Sequence, residues 1–343
     1  MSARSILILG VIALIALTLA LIFSRPSSLP GEGANLPLVP GLHEIVNDIA
    51  AIDITAADGS TVATLRRERE RWRVREMDGY EADFALVHDL LRDLASGQRV
   101  SERTSNPQWY DRLGLVDVGQ PGATGVQVSF PEADLPALII GIPDTAGQGH
   151  FVRLVDDAPS WLADRRIDVP TATDRWLERS IMDIPARELS EVTVRHPDGD
   201  TVILRSAGTD SDDWVLMNVP DDREAVPMWQ LRPLANGLST LNMEAVRRHE
   251  SVPDDAIRAL FVTRDGLNFV ASLFEDDEGG WVHFSVSAEV SASEGEELSE
   301  EESSVLVDAV AVDARLNEWQ FRLTERKFEN MTPKLESLLK EVD

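Results

Sequence analysis

Alternation comes first. Ile52 and Ile54 stand between polar neighbours, Asp58-Gly59 follows, and apolar positions resume from Val62 to Leu65. A period of two broken by Asp-Gly predicts a hairpin, because the turn needs positive φ that glycine supplies freely. "WRV" from Trp72 continues the meander and places Trp72 on the core face. The period then lengthens. In "ADFALVHDLLRDLASG" Phe84, Val87, Leu90, Leu91 and Leu94 recur at three and four residues, with Asp83 before them and Gly97 after. That pattern predicts an amphipathic helix, capped by Asp83 and ended by Gly97. "NPQWYDRLGL" reads as a capped turn, and Val126–Phe130, Ala137–Ile142 and Phe151–Val155 as strands in hairpin order, hence antiparallel.

The same order recurs. Asp198-Gly199, Trp214 and "LRPLANG" repeat Asp58-Gly59, Trp72 and "LRDLASG", the last pair separated by 231 − 91 = 140 positions. "GWVHFSV" from Gly280 echoes "GHFVRLV" from Gly149, and "NEWQFRLTERKFENM" from Asn317 echoes "DRWLERSIMDI" from Asp174. A period this long fits two whole domains, not a solenoid. Strands are expected near Val192–Arg195, Val202–Arg205, Trp214–Met217, Ala259–Thr263, Phe269–Phe274 and Trp281–Val286. Leu231, Leu234, Leu238 and Leu241 keep the helical stripe, but Pro233 stands where the first copy has Asp93 and should kink or shorten the helix.

Outside the repeats, Ile6–Phe23 is an uncharged apolar run of 23 − 6 + 1 = 18 residues. At 1.5 Å per residue it reaches about 27 Å, nearly a bilayer core, and predicts an uncleaved signal anchor. Pro26, Pro30, Pro37 and Pro40 mark an extended stalk. The organisation expected is a cytoplasmic N-terminus over residues 1–5, a membrane span over 6–23, a stalk over 24–43, and repeat domains over 44–185 and 186–343, Pro185 marking the boundary. Glu and Ser crowd residues 289–304, which reads as an exposed acidic loop in the second repeat. "TPKLESLLKEV" predicts a last helix capped by Thr332, with Leu335, Leu338, Leu339 and Val342 in a stripe that packs on its own domain. The fold class is therefore α+β: a transmembrane helix, then two tandem duplicated domains, each a mainly antiparallel meander sheet covered by an amphipathic helix.

Charge narrows the functional classes. With 60 acidic and 32 basic residues the formal net charge is −28, which repels nucleic acid and anionic lipid. Cysteine is absent, so disulfides, thiolate nucleophiles and cysteine zinc sites are excluded. His43, His88, His150, His196, His249 and His283 lie in no metal-binding spacing, and neither a Gly-x-Ser-x-Gly elbow nor a phosphate-binding glycine loop occurs. Asp210 and Asp212 begin like a calcium loop, but Trp214 takes the fifth position and no glycine the sixth. No catalytic, cofactor or metal residues are expected. Of eight tryptophans, Trp72, Trp214, Trp176 and Trp319 take matching places and read as core anchors, leaving Trp109, Trp161, Trp229 and Trp281 as weaker candidates for a ligand surface.

The single span, the Pro-rich stalk, "IAAIDITAADGSTVATLRRERERWRV", "YEADFALVHDLLRDLASGQRV" and "SNPQWYDRLGL" together resemble the bacterial family known as domain of unknown function 4340, most clearly over residues 45 to 200. The resemblance implies an accessory of an ABC-type transport system related to gliding-motility auxiliary proteins, with a permease, an ATPase and a second membrane-anchored auxiliary protein as partners. The expected place is the bacterial inner membrane, crossed once, with the repeat domains in the periplasm. The expected role is non-enzymatic; a periplasmic module that binds glycan or peptide is the alternative.

Overall fold

The computed structural model describes residues 35–145, 147, 149–208, 213–289 and 299–341. The apolar run at 6–23, the N-terminal residues 1–5 and the first part of the Pro-rich stretch lie outside the described residues. Among the described residues no helix is long and apolar enough to cross a membrane. The chain forms two compact units, the first ending at Leu177 and the second beginning at Glu178. Both are mostly antiparallel sheet with a few helices.

The first unit opens with β1 (Leu36–Pro37) and the one-turn helix α1 (Leu42–Ile45). β1 pairs with a later strand, and Leu38, Val39 and Leu42 are buried. The stretch read as stalk to residue 43 therefore joins the sheet from Leu36 and the core from Leu38, because three apolar side chains among its prolines find a core to enter. β2 (Ala51–Thr55), β3 (Thr61–Glu68), β4 (Arg71–Val74) and β5 (Tyr80–Glu81) form the meander. At the first turn Gly59 takes φ +84° and Asp58 accepts from the Ser60 N–H at 2.9 Å. Helix α2 (Phe84–Ser96) starts where the Asp83 carboxylate accepts from the Leu86 N–H at 3.0 Å. Val87, Leu90, Leu91 and Leu94 are buried, whereas Phe84, expected in the same stripe, is 59% exposed. Helical side chains lean toward the N-terminus, so the first residue reaches past the sheet that its successors cover. β6 (Gln98–Thr104), β7 (Val126–Ser129), β8 (Leu138–Pro143), β9 (His150–Leu154) and β10 (Ser160–Ala163) complete a ten-stranded sheet in the order β1-β6-β10-β9-β8-β7-β2-β3-β4-β5.

The second unit begins at Glu178 and opens with β11 (Ser180–Met182), so residues 178–185, expected in the first domain, belong to the second. Ile181 and Met182 are buried, and β11 pairs with β15, so this segment belongs to the second core. β12 (Leu189–Arg195), β13 (Thr201–Ser206) and β14 (Trp214–Leu216) repeat the meander. Helix α3 (Met228–Ala235) has 8 residues against 13 in α2 and contains Pro233, as its missing donor predicts. β15 (Leu241–Asn242), β16 (Ala245–Arg248), β17 (Ile257–Thr263), β18 (Leu267–Asp276) and β19 (Gly279–Ala288) follow. Helix α4 (Glu300–Leu316) packs on β19 and precedes β20 (Trp319–Arg322) and α5 (Glu325–Met331). Residues 300–304, expected in the acidic loop, are thus helical; residues 290–298 lie outside the described residues.

Read from β16, the second sheet runs β16-β20-β19-β18-β17-β12-β13-β14, and the first runs β6-β10-β9-β8-β7-β2-β3-β4 between its two extra edge strands. The two orders correspond strand for strand. Each unit also closes on itself identically: the Asp83 N–H donates to the Trp176 carbonyl at 2.8 Å, and the Val226 N–H to the Leu338 carbonyl at 2.9 Å. Bridges Ala82–Leu177 and Ala225–Leu339 flank these bonds. Trp176 therefore corresponds to Leu338, while Trp319 lies on β20, the counterpart of β10, where the registers set Phe321 opposite the place of Trp161. The expected pairing of Trp176 with Trp319 fails because α4, inserted between β19 and β20, shifts the register. At the C-terminus a 3-10 turn (Leu335–Leu338) stands where a helix capped by Thr332 was expected. Asp200 accepts the Leu335 N–H at 2.9 Å and the His196 ring bonds the Pro333 carbonyl at 3.1 Å, so the segment is pinned to its own unit as a turn.

Candidate functional site

The four tryptophans proposed as a ligand surface are not brought together. Trp161 and Trp281 are 7% and 2% exposed, on inward positions of β10 and β19. The Trp281 indole donates to Asp276 at 2.8 Å and carries the Arg247 guanidinium 3.8 Å from its ring centroid, which makes it a core anchor. Trp109 and Trp229 are exposed, one in each unit. Arg112 lies 4.0 Å over the Trp109 ring and occupies one face.

Each unit carries a cleft beside its first long helix. In the first unit a cleft of about 410 Å³ lies between α2 and the segment entering β2, with Trp72, Ile49, Val46 and Leu91 inside and Asn47, Arg92 and Ser96 along its side. In the second a cleft of about 270 Å³ is lined by Ala186, Arg187, Trp214, Arg232 and Asn236. Four pairs keep one offset, since 186 − 46, 187 − 47, 232 − 92 and 236 − 96 all equal 140. Trp72 and Trp214, read as plain core anchors, also line these clefts. The repeated "LRDLASG" and "LRPLANG" supply one wall in both units, and a close approach explains their glycines. A Cβ on Gly97 would stand 2.3 Å from Leu38 Cδ1, and one on Gly237 would stand 2.8 Å from the Phe261 ring.

The first cleft is the more apolar at its mouth. Phe84 stands at its lip with its ring stacked on His88, centroids 5.9 Å apart. Several of its polar groups are engaged by the fold: Arg67 donates to the Asn47 carbonyl at 2.7 Å, and Arg92 pairs with Asp89 at 2.7 Å. The Ser96 hydroxyl donates to the Arg92 carbonyl at 2.7 Å and accepts from Arg165 at 2.8 Å, which makes it a helix-end clamp and leaves it no base. Such a lining suits binding through shape and apolar contact.

A third cleft, about 560 Å³, belongs to the second unit alone. Met182, Ile184, Leu267, Phe269 and Val312 make it apolar, and Arg187, Arg264 and Arg315 stand around it. Arg264 donates to the Arg187 carbonyl at 2.8 Å and Arg315 to the Ile181 carbonyl at 2.7 Å. Asp183 accepts the Thr240 N–H at 2.6 Å, and that bond, foremost, holds its carboxyl below the ordinary range. Nearby, burial pushes the Lys327 amine below its usual value, but Nζ donates to the Asn236 and Ser239 carbonyls, both at 2.9 Å. It thereby caps the end of α3, a structural task. Among the described residues no group of three or more His, Asp or Glu could hold a metal ion. His249 and His283, far apart in sequence, do stack, with ring centroids 3.8 Å apart.

Residues 72–258 match the family model of a domain of unknown function, DUF4340, which is 258 − 72 + 1 = 187 of 343 residues. The chain belongs to the DUF4340 family. The matched segment starts at Trp72, inside the first cleft, and runs past the unit boundary to the start of β17, further into the second unit than the resemblance in sequence reached. No curated protein and no solved structure matches the chain. Sequence reasoning missed Phe84 and the Asn47–Arg92 side of the cleft as surface features. The signal that could have found them is the repeated heptapeptide itself, whose constant offset extends to residues 46 and 47.

Proposed function

We propose that this DUF4340 protein is a non-enzymatic accessory component, anchored in the bacterial inner membrane by residues 6–23 with its two units in the periplasm, and associated with an ABC-type transport system. The observation that carries the binding role is the cleft kept at one place in both units, with Arg67, Arg92 and Ser96 of the first engaged by the fold. The apolar run supports the anchor. The family resemblance supports the transport association. We infer further that the units arose by tandem duplication; strand order, the closing turn and the constant offset of 140 support it.

The test is partner capture. Intact cells are crosslinked, membranes solubilised in mild detergent, and a C-terminally tagged chain recovered. Recovery of a permease and its ATPase, lost when residues 1–25 are replaced by a cleavable signal peptide, is the expected result. Recovery of envelope glycan or peptide, abolished by Phe84→Ala with Arg92→Ala, would favour the alternative reading as a periplasmic ligand-binding module, to which the exposed Phe84 at the first cleft lends support.

A further inference from the structure

Helix α4 is apolar on two sides. Ala309 and Leu316 are buried against the sheet, and Val312 faces the 560 Å³ cleft. On the outer side Val307 and Val310 are 67% and 70% exposed, and Ala311 and Ala314 are exposed with them. Spacings of three, one and three residues put the four side chains in a single stripe. A helix that has only one packed side normally turns charged residues to water on the other, and an apolar pattern around the whole circumference belongs to a helix covered on both. The fold does not require this helix: the corresponding strands of the first unit, β9 and β10, are joined by residues 155–159 alone.

We propose that the outer face of α4 is a docking surface for a basic amphipathic helix of another protein. Stripe spacing of this kind is what a packed helix reads, and Ala and Val let two helix axes approach to roughly 8–10 Å. Charge selects the occupant. Asp308 is exposed beside the stripe, and the chain as a whole carries 60 acidic against 32 basic residues. The one basic residue of α4, Arg315, is held by the Ile181 carbonyl. A second copy, itself at −28, and an anionic lipid surface would both bring like charge to this face. A Lys- and Arg-flanked helix brings the opposite sign. The inference goes beyond the proposed function and does not depend on the partner's belonging to a transporter.

The test places a photo-reactive phenylalanine analogue at position 314 of the full chain in its native cells and maps the adducts by mass spectrometry. The expected adduct is one partner segment with apolar residues every three or four positions and Lys or Arg beside them. It should fall at least about tenfold in Val307→Glu/Val310→Glu, and by a smaller factor in Asp308→Lys, since a lost exposed ion pair is worth less than a lost apolar seam. Both variants should unfold at the parent temperature, the substituted side chains being exposed. Adducts to lipid, to a second copy or to an acidic segment, no adduct, or an adduct undiminished in both variants would overturn the proposal.

Discussion

The two units build one strand order from different sequences, and the differences show which features the fold requires. Both keep the Asp-Gly turn, the tryptophan of the third meander strand, and a helix ending in glycine at a tight contact. They diverge in helix length, in the strand that covers the meander edge, in the side chain of the closing turn and in α4. Shared features sit where backbone approaches backbone or where a large side chain fills the space under the helix. Divergent ones include α4, which only the second unit carries, and the buried side chain of the closing turn, where Leu338 stands for Trp176.

The closing turn gives the sharpest way to break this comparison. Trp176 is fully buried, its indole donates to the Pro170 carbonyl at 3.1 Å, and Leu338 takes its place in the second unit. Trp176→Ala should cost about 3–5 kcal/mol and Leu338→Ala about 2–5 kcal/mol, with the tryptophan the larger, because both the lost contact area and the cavity scale with side-chain size. Urea unfolding measures both. If Leu338→Ala were silent, the correspondence of the two closing turns would be wrong. Next comes an exchange at the helix centre. Asp93→Pro should cost about 3 kcal/mol in α2, by removing a backbone donor and adding a ring clash. Pro233→Ala should stabilise the second unit by about 1 kcal/mol, the net worth of one recovered hydrogen bond to the Trp229 carbonyl. A destabilising Pro233→Ala would mean that the short α3 is itself selected by its surroundings.

The glycines follow, with a smaller expected effect. Gly97→Ala should destabilise by about 1–3 kcal/mol, because its Cβ meets Leu38 at 2.3 Å and the Asp93 carbonyl oxygen at 2.6 Å, and backbone cannot move aside. Gly237→Ala should lie at the lower end of that range, since the nearest atoms are Phe261 ring carbons at 2.8 Å and the Leu234 carbonyl oxygen stands at 3.1 Å. Thermal unfolding of the two variants should rank them in that order. The reverse ranking would show that a ring in the second core is less able to shift than the carbonyl of the first.

Most strands, both Asp-Gly turns, the Asp83 cap and the effect of Pro233 were legible in sequence, because each depends on neighbours a few residues away. What was hidden depends on distant chain. Leu38 and Leu42 look like parts of a stalk until a core exists to receive them. Phe84 fits the helical stripe by period, but its place at the first residue exposes it. Helix α4 escaped because apolar residues on two of its sides blur the amphipathic period, and because its first turn continues an acidic run. Its insertion then carried the tryptophan pairing astray. The clefts were the least legible, since they need two segments far apart in the chain, although the offset of 140 already held the information.

Protonation should produce the smallest effect, and it tests whether both units respond alike. In the first, burial and then Arg166 hold the His150 ring below its ordinary pKa, while Nδ1 accepts the Ile167 N–H at 3.0 Å. In the second, burial and then the stacked His283 hold His249 down, while its Nδ1 meets the Gln320 amide at 3.1 Å. A histidine depressed in the folded state binds its proton more readily when unfolded, so it contributes stability above the unfolded value near about 6.5 that is lost as pH falls from there through the folded pKa. Urea midpoints should therefore decline between about pH 7 and pH 5.5, above the range in which carboxylates dominate. His150→Gln and His249→Gln should each remove part of that decline while keeping an acceptor for the local N–H. Their effects should add, because the two rings share no partner. If one variant removed the whole slope, the other unit's histidine would be titrating freely, and the resemblance between the units would end at their backbones.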